Sequence, residues 1–269
     1  MSDQEPPNAA RPDKFRPFAE LISSLTFLTR LPIPFARTLD LPPLTQSMRL
    51  FAVAGAIIGA LNGLVLVGLQ ALNLPSLLCA ALTCMFGLMM TGGLHEDGLA
   101  DSADGLFGGK TREDRLLIMR DSRIGSYGAM ALMTCLLARA ASYEALLGFG
   151  AFSCIAVMAA VGAFSRAMVV DLMWATKSAR SDGLSVLAGR PGRNSALLAI
   201  FTGGALALAA GVNLRPESGV VAVLGAAAVT GLMRRYAMRQ IGGQTGDICG
   251  ATQVLVEITL LVVFLAMIG

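Results

Sequence analysis

The sequence predicts an all-α protein, a polytopic membrane bundle of about seven helical spans with an N-terminal interfacial helix. Three observations predict it. Of 269 residues, 55% are hydrophobic and only 14% are charged, whereas a soluble domain carries about a quarter charged residues. The mean hydropathy is +0.66, and apolar runs of membrane-crossing length recur along the chain. Nearly all of the 21 Lys and Arg residues fall in four polar regions that separate alternate pairs of runs. Aromatics make up 6% while Gly numbers 30 and Met 14, a composition suited to helices packed through small faces.

Taken in order, residues 1–16 are polar and Pro-rich, predicting a disordered N-terminus, with 17–269 a single membrane-embedded domain. No apolar core of a cleavable signal follows, so the first span directs insertion. In 15–35, Phe18, Leu21, Ile22, Leu25 and Leu28 recur at helical spacing between Arg16 and Arg30. That stretch is too short and polar to span. It reads as a helix lying at the membrane interface, or equally as one packed on the bundle, ending at Leu31-Pro32. Spans are expected at 48–72, 76–94, 127–144, 149–173, 195–212, 219–233 and 251–268, with Pro75 and Arg215-Pro216 in tight turns. Between the second and third spans a long polar stretch is expected over 96–123. Because the opposite connections carry only Arg215, the positive-inside rule puts the four polar regions in the cytoplasm, with the N-terminus inside and the C-terminus outside. Cys79, Cys84, Cys135, Cys154 and Cys249 form no CxxC pair and read as small apolar residues.

The densest chemical signal is His95-Glu96-Asp97-Gly98-Leu99-Ala100-Asp101-Ser102-Ala103-Asp104-Gly105, at the aqueous end of the second span. On a helix Asp97, Asp101 and Asp104 share one face. Like charges so stacked repel, and no Lys or Arg lies between Leu94 and Gly109 to offset them. An ordinary solvated face mixes signs; this one asks for a divalent cation. Hard oxygen ligands without a soft partner point to Mg²⁺ or Mn²⁺, and Mg²⁺ uses few carboxylates plus substrate phosphates, which suggests phosphoryl chemistry. His95 reads either as a ligand or general base, or as a residue that caps a helix or orients Glu96.

Two Gly-rich turns open later spans: Asp121-Ser122-Arg123-Ile124-Gly125-Ser126-Tyr127-Gly128 and Gly242-Gly243-Gln244-Thr245-Gly246-Asp247. Backbone N–H groups at a helix start, with a guanidinium such as Arg123, make a phosphate site. Arg112, Arg115, Arg120 and a second basic set (Lys177, Arg180, Arg190, Arg193) serve in part anionic lipid headgroups. Inside the spans, Arg166 is expected either to pair with Asp171 or to reach substrate phosphate. Arg139 and Glu144 read as a snorkelling pair near the outer surface, and Glu257 as a residue with a partner in the bundle.

With these segments assembled, the chain resembles the cobalamin synthase (adenosylcobinamide-GDP ribazoletransferase) family. The resemblance rests on Phe27-Leu28-Thr29-Arg30-Leu31-Pro32-Ile33-Pro34, on the 93–105 and 119–128 segments, and on Gly246-Asp247-Ile248-Cys249-Gly250-Ala251. It covers nearly the whole chain after about residue 18 and implies a bacterial inner-membrane enzyme whose catalytic domain is 17–269. The implied reaction is the last assembly step of coenzyme B12: adenosylcobinamide-GDP is joined to α-ribazole, or its 5′-phosphate, with release of GMP and a requirement for Mg²⁺. On that footing Glu96, Asp97, Asp101 and Asp104 are expected to hold metal, with Asp121 or Asp247 completing the shell. Arg123, Ser126, Arg166 and Thr245 are expected at phosphate, and His95 or a carboxylate as base. The expected partners are the two small molecules and the bilayer, with a homo-oligomer left open and no nucleic acid. Asp101-x-x-Asp104-Gly105 also looks like the opening of the membrane CDP-alcohol phosphotransferase signature, whose remainder is missing here; a lipid-headgroup transferase is the alternative enzyme. A cation transporter is the alternative outside enzymes, disfavoured because the carboxylates cluster at a span end.

Overall fold

The computed structural model describes residues 15–33, 36, 38–212 and 214–268; the polar N-terminus, apart from Phe15 and Arg16, and Pro34 lie outside them. Among the described residues the chain is helical, save an isolated bridge between Ser178 and Gln244. The helices are α1 (Pro17–Leu28), α2 (Leu44–Ser47), α3 (Phe51–Ala71), α4 (Ser76–Thr91), α5 (Leu94–Gly108), α6 (Arg112–Ile118), α7 (Ser126–Leu146), α8 (Ala151–Ala175), α9 (Leu184–Ala188), α10 (Arg193–Val212), α11 (Pro216–Ile241) and α12 (Gly246–Ile268). Six of the described elements are long and apolar enough to cross a membrane, or seven if the bent pair α4–α5 is one span. Six of the seven expected spans are thus found, and the second, 76–94, corresponds to α4 of the bent pair. The sixth extends well past 233, because Arg234, Arg235 and Arg239 continue α11 beyond the apolar stretch.

α8 is buried along its middle, from Ala160 to Val170, as a helix in the centre of a bundle must be. It packs against α3 through small residues. A Cβ on Gly55 would fall 2.2 Å from the Gly162 carbonyl oxygen, and one on Gly59 would fall 2.0 Å from that of Met158. Only Gly at i and i+4 allows this backbone approach.

The second span does not continue into the acidic run. α4 stops at Thr91, where Gly92 (φ +69°) and Gly93 (φ +67°) take successive left-handed conformations that glycine adopts without penalty. α5 then leaves at 92° and lies across the starts of α7 and α12. Its Asp104 meets the α7 start, its Gly98 touches Asp247 and Gly250, and its Leu99 packs with Ala251 and Val254. The expected polar stretch over 96–123 holds two helices, the second opened by a capping box between Thr111 and Asp114.

The polar regions meet at one end of the bundle, held by arginines on backbone carbonyls. Arg112 donates to Ile241 (2.9 Å) and Ala179 (2.7 Å), Arg180 to Leu116 (3.1 Å), and Arg190 to Trp174 (2.9 Å). Such donors satisfy the orphan carbonyls of helix ends. α1 packs on the bundle: buried Glu20 takes a two-pronged bond from Arg49 (2.6 and 2.7 Å), and Ser24 donates to the Ser47 carbonyl (2.9 Å). Phe15 and Phe18 stay exposed on it.

Two expected ion pairs do not form. Arg139 is 5% exposed; it donates to Glu96 (2.8 Å) and forms an ion pair with Glu257 (2.8 Å), while Glu144 is exposed. Arg166 approaches Glu257 (3.6 Å) in place of Asp171. Both guanidiniums face the interior because it holds two carboxylates, and a buried charge requires a partner.

Candidate active site

Gly98 sets the site. A Cβ there would lie 2.9 Å from the Asp247 carbonyl oxygen and 3.2 Å from the Gly250 Cα, so α5 and α12 touch backbone to backbone. That crossing brings Asp97 and Asp101 beside Asp247. Burial, then the charges of Asp97, Asp247 and Asp104, push the Asp101 carboxyl up to about 7. Asp247 has one cation at hand, Arg180 at 3.4 Å, and accepts from the Thr245 hydroxyl at 3.1 Å.

Asp97 and Asp101 also line a cleft of about 840 Å³ formed by the end of α1, the α4–α5 turn, α5 and the residues before α7. Its lining is mixed: Arg30 is the third charged residue, beside polar Thr29, Thr91 and Ser122 and apolar Phe27, Ile124 and Leu184. That volume and character suit a nucleotide-sized ligand. Among the described residues no three His, Cys, Asp or Glu side chains are grouped as a metal cage by themselves. Two carboxylates on a cleft wall, completed by substrate phosphates, are nonetheless the manner in which Mg²⁺ is usually held. The donor set fits a hard cation.

Other expected site residues are placed differently. Asp104 is buried and accepts from the N–H groups of Gly125 (2.7 Å) and Gly128 (2.9 Å); it caps α7. The turn expected to cradle phosphate thus cradles a carboxylate of the chain itself, and Ser126 is exposed beside it. Glu96 points away from the cleft into the buried group of Arg139, Glu257 and Arg166. Arg166 is 5% exposed and lies 3.1 Å from the Ser165 hydroxyl. Thr245 is buried and accepts from Ile248 N–H (3.3 Å), capping α12. Asp121 and Arg123 pair at the surface (2.7 Å), which holds the Asp121 carboxyl down to about 2. His95 is buried between the polar group and a narrow apolar cavity under Phe27 and Leu184. Burial and the Arg166 charge push its pKa down to about 3, so the imidazole is neutral.

Reading the sequence gave no role to Arg180 at Asp247 or to Gly98 and Gly250 at the helix crossing. Gly98 left a signal, an isolated glycine among helix-face carboxylates, which marks a close backbone approach.

The cobalamin-5-phosphate synthase family model matches residues 20–265. The chain belongs to that family. It is 42% identical over 253 residues to an adenosylcobinamide-GDP ribazoletransferase of Azorhizobium caulinodans, covering 91% of this chain and 95% of the relative. A protein of the same name from Xanthobacter autotrophicus is 40% identical over 252 residues, 90% of this chain and 94% of its own. Another, from Brucella ovis, is 38% identical over 242 residues, 87% and 91%. No solved structure matches.

Proposed function

We propose that the cleft beside Asp97 and Asp101 is where this chain, an adenosylcobinamide-GDP ribazoletransferase of the cobalamin synthase step, carries out its reaction with Mg²⁺. The observation that carries the reading is the meeting of Asp97, Asp101 and Asp247 at the α5–α12 crossing, next to a cleft of nucleotide size. The donor is a phosphoanhydride and the acceptor a ribose hydroxyl of α-ribazole or its 5′-phosphate. A bond forms between the hydroxyl oxygen and the cobinamide-side phosphorus, the bond to GMP breaks, and the hydroxyl proton passes to a base. Bound at Asp97 and Asp101, Mg²⁺ supplies neutralisation of the diphosphate and of the charge gathering on the departing GMP. Asp247, held by Arg180 and Thr245, backs that pair. His95 does not line the cleft and is buried behind it, which favours a carboxylate of the set for that step. Asp104 and Glu96 serve the site through the placement of α5.

The end that carries the basic loops and the cleft is assigned to the cytoplasm by the positive-inside rule. Against lipid-headgroup transfer stand the names of the relatives and the use of Asp104 as a cap. Against transport stands Glu257, the acidic residue in the middle of α12, which is matched by Arg139 and Arg166. The test is Mg²⁺-dependent GMP release from adenosylcobinamide-GDP in the presence of α-ribazole, by protein in lipid nanodiscs. Asp97→Asn and Asp101→Asn should each lower turnover at least about a hundredfold. Full activity in both would remove the cleft as the site.

A further inference from the structure

We propose that Arg30 binds the diphosphate of the nucleotide-linked substrate and so sets donor affinity; this rests on the reading of the cleft given above. The segment after α1 is tied to the last turn of α4 by the Arg30 N–H, which donates to the Met90 carbonyl at 2.7 Å, while the Thr29 hydroxyl closes α1 by donating to the Leu25 carbonyl at 2.7 Å. The Arg30 side chain runs over Gly92, where a Cβ would fall 2.6 Å from Nε and 2.9 Å from Cγ. Gly92 therefore does two things. Its positive φ turns the chain, and its bare Cα leaves room for the guanidinium at the cleft wall.

Five of the other arginines around this end are engaged. Arg112, Arg180 and Arg190 hold carbonyls, and Arg120 and Arg123 hold Asp182 and Asp121. Arg30 makes no side-chain hydrogen bond or ion pair among the described residues, although Asp97 and Asp101 line the same cleft. A guanidinium left free beside two carboxylates is the complement of a ligand that carries both a metal-bound and a metal-free anionic oxygen. A diphosphate does, and the planar fork of Arg takes two phosphate oxygens at once where Lys offers a point charge. The acceptor, as a free nucleoside, carries no such group, so Arg30 discriminates between the two substrates.

The test uses the full-length protein in nanodiscs, wild type beside Arg30→Ala, Arg30→Gln and Arg30→Lys. Equilibrium binding of adenosylcobinamide-GDP is measured without acceptor, and KM is measured for donor and acceptor separately. In Arg30→Ala and Arg30→Gln the donor Kd and KM should rise roughly ten- to a hundredfold, with the α-ribazole KM within about twofold of wild type. Arg30→Lys should recover part of the loss. Donor affinity within about twofold of wild type in the Gln variant overturns the assignment, as does an equal change in both KM values. If Asp97→Asn is inactive while Arg30→Gln binds donor normally, the Arg30 role alone fails. If wild type neither binds nor turns over the donor, the reading of the cleft fails first and this one with it.

Discussion

Removing the Asp104 carboxylate should loosen the start of α7, and a second substitution can show that this is its role. In Asp104→Ala the Gly125 N–H, which is half-buried, loses its acceptor, and the Gly128 N–H is left orphaned in a buried position. Losing a helix cap costs about 1 kcal/mol, and an unsatisfied buried donor costs about 1–3 kcal/mol. Together the variant should be less stable by roughly 2–4 kcal/mol, a fall in Tm of about 5–15 °C for a chain of this size. Gly125 has φ −94° and ψ 179°, which any residue adopts, but a Cβ there would sit 2.4 Å from Asp104 Oδ1. Gly125→Ala alone should therefore cost about 1–3 kcal/mol through that clash. In the Asp104→Ala background the clash is gone and the cost should vanish, giving a coupling of similar size. Thermal unfolding of the four proteins in one detergent, with EDTA present, measures the cycle. Additive effects, or an Asp104→Ala protein that melts like wild type, would refute the cap and return Asp104 to the metal ligands.

The remaining expectations follow from the same geometry. Asp101→Asn should raise the thermal stability of metal-free protein at pH 8. The folded carboxyl titrates near 7 against about 4 unfolded, so the relief is full above 7 and fades as pH falls through that window; a melting curve independent of pH would count against it. Arg139→Met leaves Glu96 and Glu257 without their shared cation and should cost about 3–5 kcal/mol, whereas a loss under 1 kcal/mol in detergent melts would mean the group is not tightly paired. Gly162→Ala, whose Cβ would fall 2.2 Å from the Gly55 carbonyl oxygen, should push α3 from α8 at a cost of about 1–3 kcal/mol or more, read as lower folded yield and Tm. Unchanged yield and melting would show that the helices are not in backbone contact.

The spans were legible because each is a long apolar run, and the side on which the polar regions gather was legible because Lys and Arg cluster there. The acidic run was legible as chemistry but not as shape. Its helical periodicity puts Asp97, Asp101 and Asp104 on one face, yet Gly92-Gly93 turns that helix by 92°, and the face is then divided between a cleft and a cap. Nothing local distinguishes Asp104 from Asp97, since the difference lies in Gly125 and Gly128, over twenty residues away. The two Gly-rich turns were read as anion sites, and for α7 that physics was sound; the anion is Asp104. Arg139 was misread because its position near the far end of a span suggests snorkelling, and its partners come from α5 and α12, remote in sequence. The sequence left Asp121 and Asp247 as alternatives beside the cluster, since the crossing that brings Asp247 there depends on Gly98 and Gly250.

The buried group of Glu96, Arg139, Arg166 and Glu257 has a consequence for the working enzyme. It joins the transverse helix α5 to three spans, α7, α8 and α12, and its formal charges cancel. A transmembrane voltage does work only on net displaced charge, so this layer gives the field nothing to act on. Turnover should accordingly be the same in energised and de-energised vesicles.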